Sequence, residues 1–445
     1  MQPVNCIFVS IASYCDPELI PTLRDMIATA EHPKNLHIAV CWQHDGEESL
    51  FAEAQMTLLS RVPHQGFELL TFAYGGASVQ VISAHFFQSC GAGWARSMAE
   101  SLYTGEAWFL QIDSHCRFIP QWDREMIAMV RELQGISAKP VLSTYPPAYD
   151  PADENVRNQF VNRLTFREFM PDGILMLSSV SFSAPTPVRG SYLAGGFIFA
   201  TGSFVKDVPN DPHIFFAGEE IAMAVRAFTQ GYEVYTPHKA LLWHYYGRNE
   251  QRKIWGDHNN AAKEAGTVDL AWWERDKVSK SRVRTVLGVE NPPVDLGDYG
   301  RGKVRSFAEF ERMIGASFSH CTVMPDVVGK DRVSYFPPLD TSEESWLTGL
   351  IRPNKKKLTF RLSDLHLGVE NTAWWHVGVY TESNVLLEQK TLTKANIEAL
   401  VTAADPESLP LSFDFTTSAF HRPHSVRICP FITTEGWGNT VEKIW

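Results

Sequence analysis
With 445 residues the chain is too long for one ordinary core, so two domains, or one large α/β domain with an appendage, are expected. Hydrophobic residues at 44% and charged residues at 20% exclude disorder and fibrous repeats. A net charge of -11 excludes an extended nucleic-acid footprint, because phosphate binding needs a basic face.

Residues 6–12 (CIFVSIA) are apolar and β-branched and predict a strand, which Asp16-Pro17 breaks. A helix over 21–30 and a second strand over 36–42 complete a βαβ unit, which implies a parallel sheet with its loops at one edge. A helix over 94–103, a buried strand over 107–112 and a helix over 122–133 repeat the pattern. Residues 146–188, rich in Pro, Ser, Asp and Asn, read as a long irregular insertion of the kind that covers a site. Order returns at 190–200 (GSYLAGGFIFA). The segment 219–229 sets Ile221, Ala224, Val225 and Phe228 at helical spacing, and 232–235 and 240–243 read as short strands. The tract 288–302 (GVENPPVDLGDYGRG) looks like a linker, and 306–315 a final helix.

Beyond Pro337-Pro338 the character changes. Runs at 358–362, 374–380, 385–389, 411–415 and 426–431 are short, β-rich and separated by turns, which predicts a small all-β sandwich. Lys355-Lys356-Lys357 reads as a solvated turn before the first of them. The expected organisation is therefore an α/β domain over 1–320, a linker over 321–340 and a β-rich accessory domain over 341–445.

Seven cysteines without CxxC spacing, an odd number, favour free thiols in a reducing cytosol. No apolar run approaches the roughly 20 residues that cross a bilayer, and the first residues lack the basic segment of a secretion signal. A cytoplasmic protein without a transmembrane segment is expected.

The stretch LQIDSHCRF, 110–118, ends a buried strand on Asp113 and His115. If the backbone stays extended, i and i+2 point to one side, so carboxylate and imidazole can reach one borderline divalent ion while Ser114 faces away. Two local ligands and no Cys/His cluster suit Mn²⁺ better than tetrahedral Zn²⁺. The structural alternative is that Asp113 caps the turn and His115 is a hydrogen-bonded loop histidine. Ala194-Gly195-Gly196 interrupts an apolar run, either where backbone must approach a ligand or as a glycine bulge. Glu219 and Glu220 open a helix, where carboxylates also suit the macrodipole with no further role. His244, in LLWHYYGR, ends a buried strand as a ligand or as a core residue.

Taken together, GWARSMAESLYTGEAWFLQIDSHCRF, RGSYLAGGFIFA, FFAGEEIAMAVRAFTQGYEVYTP and WHYYGR resemble the GT-A glycosyltransferases. The likeness is to the cytoplasmic Skp1 hydroxyproline N-acetylglucosaminyltransferases, whose opening IFVSIASYCDPELIPTLRDM also resembles, and more distantly to the polypeptide N-acetylgalactosaminyltransferases. It covers about residues 5 to 320. It implies a Rossmann-like nucleotide-diphospho-sugar fold. It also implies a divalent metal, manganese ahead of magnesium, held by Asp113, His115 and His244 against a UDP-sugar. Arg189 would face the diphosphate or the sugar and Glu219 the donor sugar or acceptor, these two at the catalytic positions. Ser10, Ile11, Ala12, Ser13 and Arg96 would hold uridine, Gly195 and Gly196 would line the sugar pocket, and Ser114, Glu220 and Arg248 stand on the donor side. Cys15 occupies a place where that family has arginine.

Such an enzyme would neutralise the departing diphosphate with a metal and an arginine. The resemblance implies an N-acetylhexosamine, GlcNAc first, moved with retention to a hydroxyl of a protein or glycan. A reading of another class is a carbohydrate-binding scaffold, its transferase core silent and its working surface in the tail, where Trp374, Trp375, His376 and Trp437 would meet sugar rings.

Overall fold
The computed structural model describes residues 5–46, 48–338, 341–365, 371–401 and 405–445. Strand Ile7–Tyr14 buries its first five residues without alternation, as a strand covered on both faces must. It lies between Trp108–Asp113 and Leu36–His44, both parallel to it, and Ala77–His85 continues the parallel set. On one side Phe67–Tyr74 and Thr57–His64 extend the sheet antiparallel. On the other side antiparallel Phe197–Thr201 links Trp108–Asp113 to Pro140–Ser143, followed by Glu233–Thr236 and Val188–Arg189. Among the described residues this is one mixed sheet of ten strands. Helices Leu19–Thr29, Ala92–Glu100 and Trp122–Leu133 connect its strands, so the expected α/β class is observed.

The parallel strands end at one edge, and Asp113 is the last residue of its strand, in register with Ala12. Because Phe197 pairs with Ile112, the chain entering that strand, Ala194 to Gly196, arrives beside Asp113. Helices Trp122–Leu133 and Glu219–Thr229 have the bounds read from the sequence.

Three expectations fail. Residues 146–188 are not irregular throughout: Val161–Phe169 and Leu175–Phe182 form an antiparallel hairpin around Pro171-Asp172-Gly173. The tract 288–302 joins no domains. It folds back on helix Trp272–Val286, with Arg301 Nε donating to the Val286 carbonyl at 2.6 Å and Arg282 to that of Asp295 at 3.0 Å. Lys355 to Lys357 are not a turn but part of strand Ile351–Arg361, on an exposed stretch opposite Ser412 to Asp414.

The chain divides into two compact units. Residues up to Ser319, with Arg332–Pro338, form the first, and His320–Asp331 with the described residues from 341 onward form the second. In the second, Ile351–Arg361 pairs along its length with Ser408–Ser418, while Leu386–Leu392, Thr372–Tyr380, Ser425–Ile432, Gly436–Trp437 and Val441–Ile444 make another sheet. Phe360, Leu409, Leu411 and Phe413 from the former and Trp375, Val377, Val379, Val426 and Ile428 from the latter share one core.

One ion pair reaches past strand Ile7–Tyr14, from the residues that precede the Asp113 strand to strand Leu36–His44. His37 Nδ1 lies 2.5 Å from Glu106 Oε1, and Thr104 donates twice to the same carboxylate. Burial alone would raise the Glu106 carboxyl, but His37 and Thr104 bring it down to about 2. Burial alone would lower the His37 imidazole, but Glu106 and Gln80 raise it. The histidine contribution is complete below its free value near about 6.5 and fades as pH rises through the raised one; the carboxylate contribution holds above about 4.3 and fades as pH falls toward 2. Glu106→Gln should therefore cost about 2 kcal/mol in urea unfolding at pH 6, with a smaller loss at pH 9.

Candidate active site
At the carboxyl edge of the parallel strands a cleft of about 310 Å³ opens, lined among others by Ala12, Arg96, Asp113, Ser114, His115, His244 and Arg248. The third member of the Asp-His-His group comes from far along the chain. Strand Leu242–His244 pairs antiparallel with Cys116–Phe118, His244 facing Cys116, and the backbone N–H of Tyr245 donates to the His115 carbonyl at 3.0 Å. That short ribbon closes a separation of 129 residues. His244 Nε2 then lies 3.1 Å from Asp113 Oδ2 and 3.0 Å from His115 Nε2, and His115 Nε2 lies 4.0 Å from Asp113 Oδ2. All three separations are shorter than twice a metal–ligand bond of about 2.1 Å, so one ion can touch all three atoms.

The protonation pattern fits such an ion. His115 Nδ1 is 2.7 Å from Asp16 Oδ2, a contact that assigns the ring proton to Nδ1 and leaves the Nε2 lone pair facing Asp113 and His244. Burial lowers the His244 imidazole against the pull of Asp113, keeping it neutral. Burial would raise Asp113, but the His244 bond and the charge of Arg96 hold its carboxyl well below the usual range.

Asp16, read from the sequence only as a breaker before Pro17, is the residue that reasoning missed. Its carboxylate, wholly buried, accepts from His115, from Ser114 Oγ at 2.6 Å and from Arg248 at 3.2 Å. Its position directly after the first strand, on the edge that gathers the loops, was the available signal.

Arg96 donates to Asp113 Oδ1 at 3.1 Å and pairs with Glu219. Glu220 accepts from the Gly195 N–H at 2.9 Å and from the Tyr145 hydroxyl at 2.5 Å, and burial pushes its carboxyl up. Both glutamates thus stand behind the cleft, bracing what lines it. The two glycines do make room, but for protein side chains. A Cβ on Gly196 would lie 2.6 Å from Asp113 Oδ2, and one on Gly195 2.8 Å from the Arg96 guanidinium.

The remaining expectations need correction. Strand Ile7–Tyr14 contains all four residues expected to hold uridine from its end, so Ser10, Ile11 and Ser13 are fully buried within it and, of the four, Ala12 reaches the cleft. Arg189 does not face the site. It pairs with Glu233 at 3.2 Å, donates to the Val234 carbonyl and lies over the rings of Tyr235 and Tyr335, 5.2 Å from each centroid. The cations on the cleft wall are instead Arg96, Arg248, Arg252 and Lys253. Aromatic residues unread in the sequence form its rim: Phe216 and Trp255, edge to face at 5.7 Å, and Tyr246, packed on His244 at 4.2 Å.

A family model described as "Glycosyltransferase (GlcNAc)" matches residues 6–69 and 63–320. The chain belongs to that glycosyltransferase family. As a glycosyltransferase it places its cleft inside the matched region. No protein of the curated set matches it. Among solved structures, a fragment of TarS from S. aureus, residues 1–349, is 13% identical, with 63% of this chain and 71% of that one covered and a TM-score of 0.33. Longer TarS from S. aureus is 10% identical over 99% of this chain and 77% of its own, with a TM-score of 0.33. GalNAc-T7, solved with UDP, GalNAc and Mn²⁺, is 13% identical over 69% of this chain and 54% of its own, with a TM-score of 0.41. These likenesses are too distant to assign substrate or mechanism. Among the described residues no helix is long and apolar enough to cross a membrane.

The glycine at the aspartate gives a direct test. Gly196→Ala should displace the Asp113 carboxylate by up to about 1 Å and lower sugar-nucleotide turnover about 100-fold, while the melting temperature moves by no more than a few degrees. Steady-state UDP release and a thermal melt measure the two.

Proposed function
We propose that this glycosyltransferase is metal-dependent and moves an N-acetylhexosamine, GlcNAc first, from a UDP-sugar to a hydroxyl of a protein or glycan. The convergence of Asp113 Oδ2, His115 Nε2 and His244 Nε2 carries this reading. When bound, a divalent ion, manganese ahead of magnesium, would supply positive charge against the diphosphate as it leaves. The chain's own cations, Arg248 and Lys253 on the cleft wall, supply more from fixed positions. Gln43, held by Ser89 at 2.5 Å and by its own bond to the Ser13 carbonyl, and Tyr14, held by Asp257 at 2.8 Å, form the wall proposed for the nucleoside.

Retention is the proposed stereochemical course. Among the described residues lining the cleft Asp113 is the one carboxylate, and its oxygens face His244 and Arg96. The resemblance to retaining transferases is what supports that course. The acceptor oxygen would bond to the anomeric carbon as the carbon–phosphate oxygen bond breaks, its proton passing to the departing phosphate. The Skp1-type relationship stays part of this proposal, with a hydroxylated protein as one acceptor. The cytoplasm is the proposed compartment, on seven free cysteines. The silent-scaffold reading is set aside, because the metal-ligand set and the residues bracing it are intact.

A donor screen tests this. With UDP-GlcNAc, UDP-GalNAc and UDP-glucose, UDP release should require Mn²⁺ or Mg²⁺, stop on chelation and be strongest with UDP-GlcNAc; metal-independent release, or an unchanged Asp113→Ala variant, would refute it. Asp16→Asn keeps the shape but weakens the bond that fixes His115. It should lower Mn²⁺ affinity by about 10- to 100-fold, read by electron paramagnetic resonance of free Mn²⁺ without any donor present.

A further inference from the structure
The second unit carries a cavity of about 910 Å³ on the outer face of one sheet, within the size range of ligand sites. Alternation along strand Thr372–Tyr380 sends Trp375, Val377 and Val379 into the core and Trp374, His376 and Tyr380 to the cavity side. Register sets Trp374 opposite Phe431 and Phe431 opposite Trp437, so three rings form one row across three strands. Trp374 stacks on Phe431 with planes 16° apart, and Trp437 stands upright against both, at 90° and 76°. Trp437 is 58% exposed. The core lies on the opposite side of this sheet and explains none of these rings.

The charges on this face are already answered. Arg427 donates to Glu442 at 3.0 Å and to Asn384 at 2.7 Å while lying over the Tyr380 ring, and Lys390, opposite Val377, turns its ammonium toward the Phe413 ring and donates to the Ser412 carbonyl at 2.7 Å. What faces the cavity is a right-angled pair of indoles beside hydrogen-bonding groups: the His376 imidazole, 3.2 Å from the Tyr380 hydroxyl, and the Gln389 carboxamide. A pyranose offers the complement, a face of C–H groups to lie on an aromatic ring and hydroxyls at its edge. Arginine and lysine held in place here wall the cavity rather than select its occupant.

We propose that this face binds a neutral oligosaccharide, separately from the sugar-nucleotide cleft, so that the chain both transfers a sugar and holds a glycan. The residues named here all belong to the second unit, and the proposal stands whether or not the metal reading does.

The test uses the full-length protein and isothermal titration with chitotetraose, cellotetraose, maltotetraose and mannotetraose. At least one should bind with one-to-one stoichiometry. Trp437→Ala, which removes an exposed side chain, should weaken that binding about tenfold or more, and Gln389→Ala should weaken it as well. UDP release by the Trp437 variant should equal wild type, and Asp113→Ala should bind the oligosaccharide like wild type. Circular dichroism confirms that the variants fold. Absence of binding by all four sugars at millimolar concentration, wild-type affinity in the Trp437 variant, or loss of binding in Asp113→Ala would each overturn the proposal.

Discussion
The pairing of Leu242–His244 with Cys116–Phe118 is the contact on which the site depends. Three residues per strand make a weak ribbon alone, and it closes a long loop. Loop-closure entropy grows only with the logarithm of length, so the 129-residue separation costs little more than a loop of half that size. What the ribbon must supply is register. A slip of one residue would turn His244 to the other face and put Trp243 beside Asp113. Register is secured by neighbours on both sides: His244 donates its N–H to the Pro147 carbonyl, and Leu242 and Trp243 are buried.

Electrostatics then decides what the assembled group can do. Asp113, His115 and His244 would form a mere salt bridge if the imidazoles were charged and the carboxylate were their partner. Burial works against that outcome at His244, whose imidazole it lowers, while the His244 bond and then the charge of Arg96 hold the Asp113 carboxyl below its usual range. Asp16 completes the arrangement by taking the Nδ1 proton of His115 as a hydrogen bond. The same carboxylate holds Ser114 and Arg248, so one buried charge orients a ligand, the loop between the ligands and a cation on the cleft wall. Although the chain is acidic overall, Arg96, Arg248, Arg252 and Lys253 line the cleft.

Much of this was readable in the residues. Buried β-branched runs and amphipathic spacing located the parallel strands and helices 122–133 and 219–229, since both signals come from local contact with one core. Asp113, His115 and His244 could be paired only through resemblance, because sequence spacing says nothing of a ribbon formed across the fold. Arg189 shows the complementary error: its distance from Ala194 matched a pattern, but its strand sits at the sheet margin, and Glu233 takes the guanidinium there. Ser10 and Ile11 were assigned to the nucleotide through resemblance, although both lie inside the apolar run 6–12 that reads as a buried strand. The hairpin 161–182 was hidden by polar strand residues, although Pro171-Asp172-Gly173 is a strong turn signal. Lys355 to Lys357 misled because charge was taken for a turn, whereas a sheet face open to solvent accepts lysine at alternate positions.

Gly195 and Gly196 carry the most general consequence. Glycine beside an active site invites the inference that a ligand needs the space, yet here Asp113 and Arg96 already fill it. The close approach of backbone to carboxylate and guanidinium lets strand Phe197–Thr201 pair with Trp108–Asp113 up to its last residues. The glycines are therefore requirements of the sheet, imposed by the residues that make the site, and they act on any ligand only through the position of Asp113. The same holds for Glu219 and Glu220, whose carboxylates are engaged by Arg96, Gly195 and Tyr145. The groups left to line the open cleft include Tyr245, Tyr246, Phe216, Trp255 and Lys253.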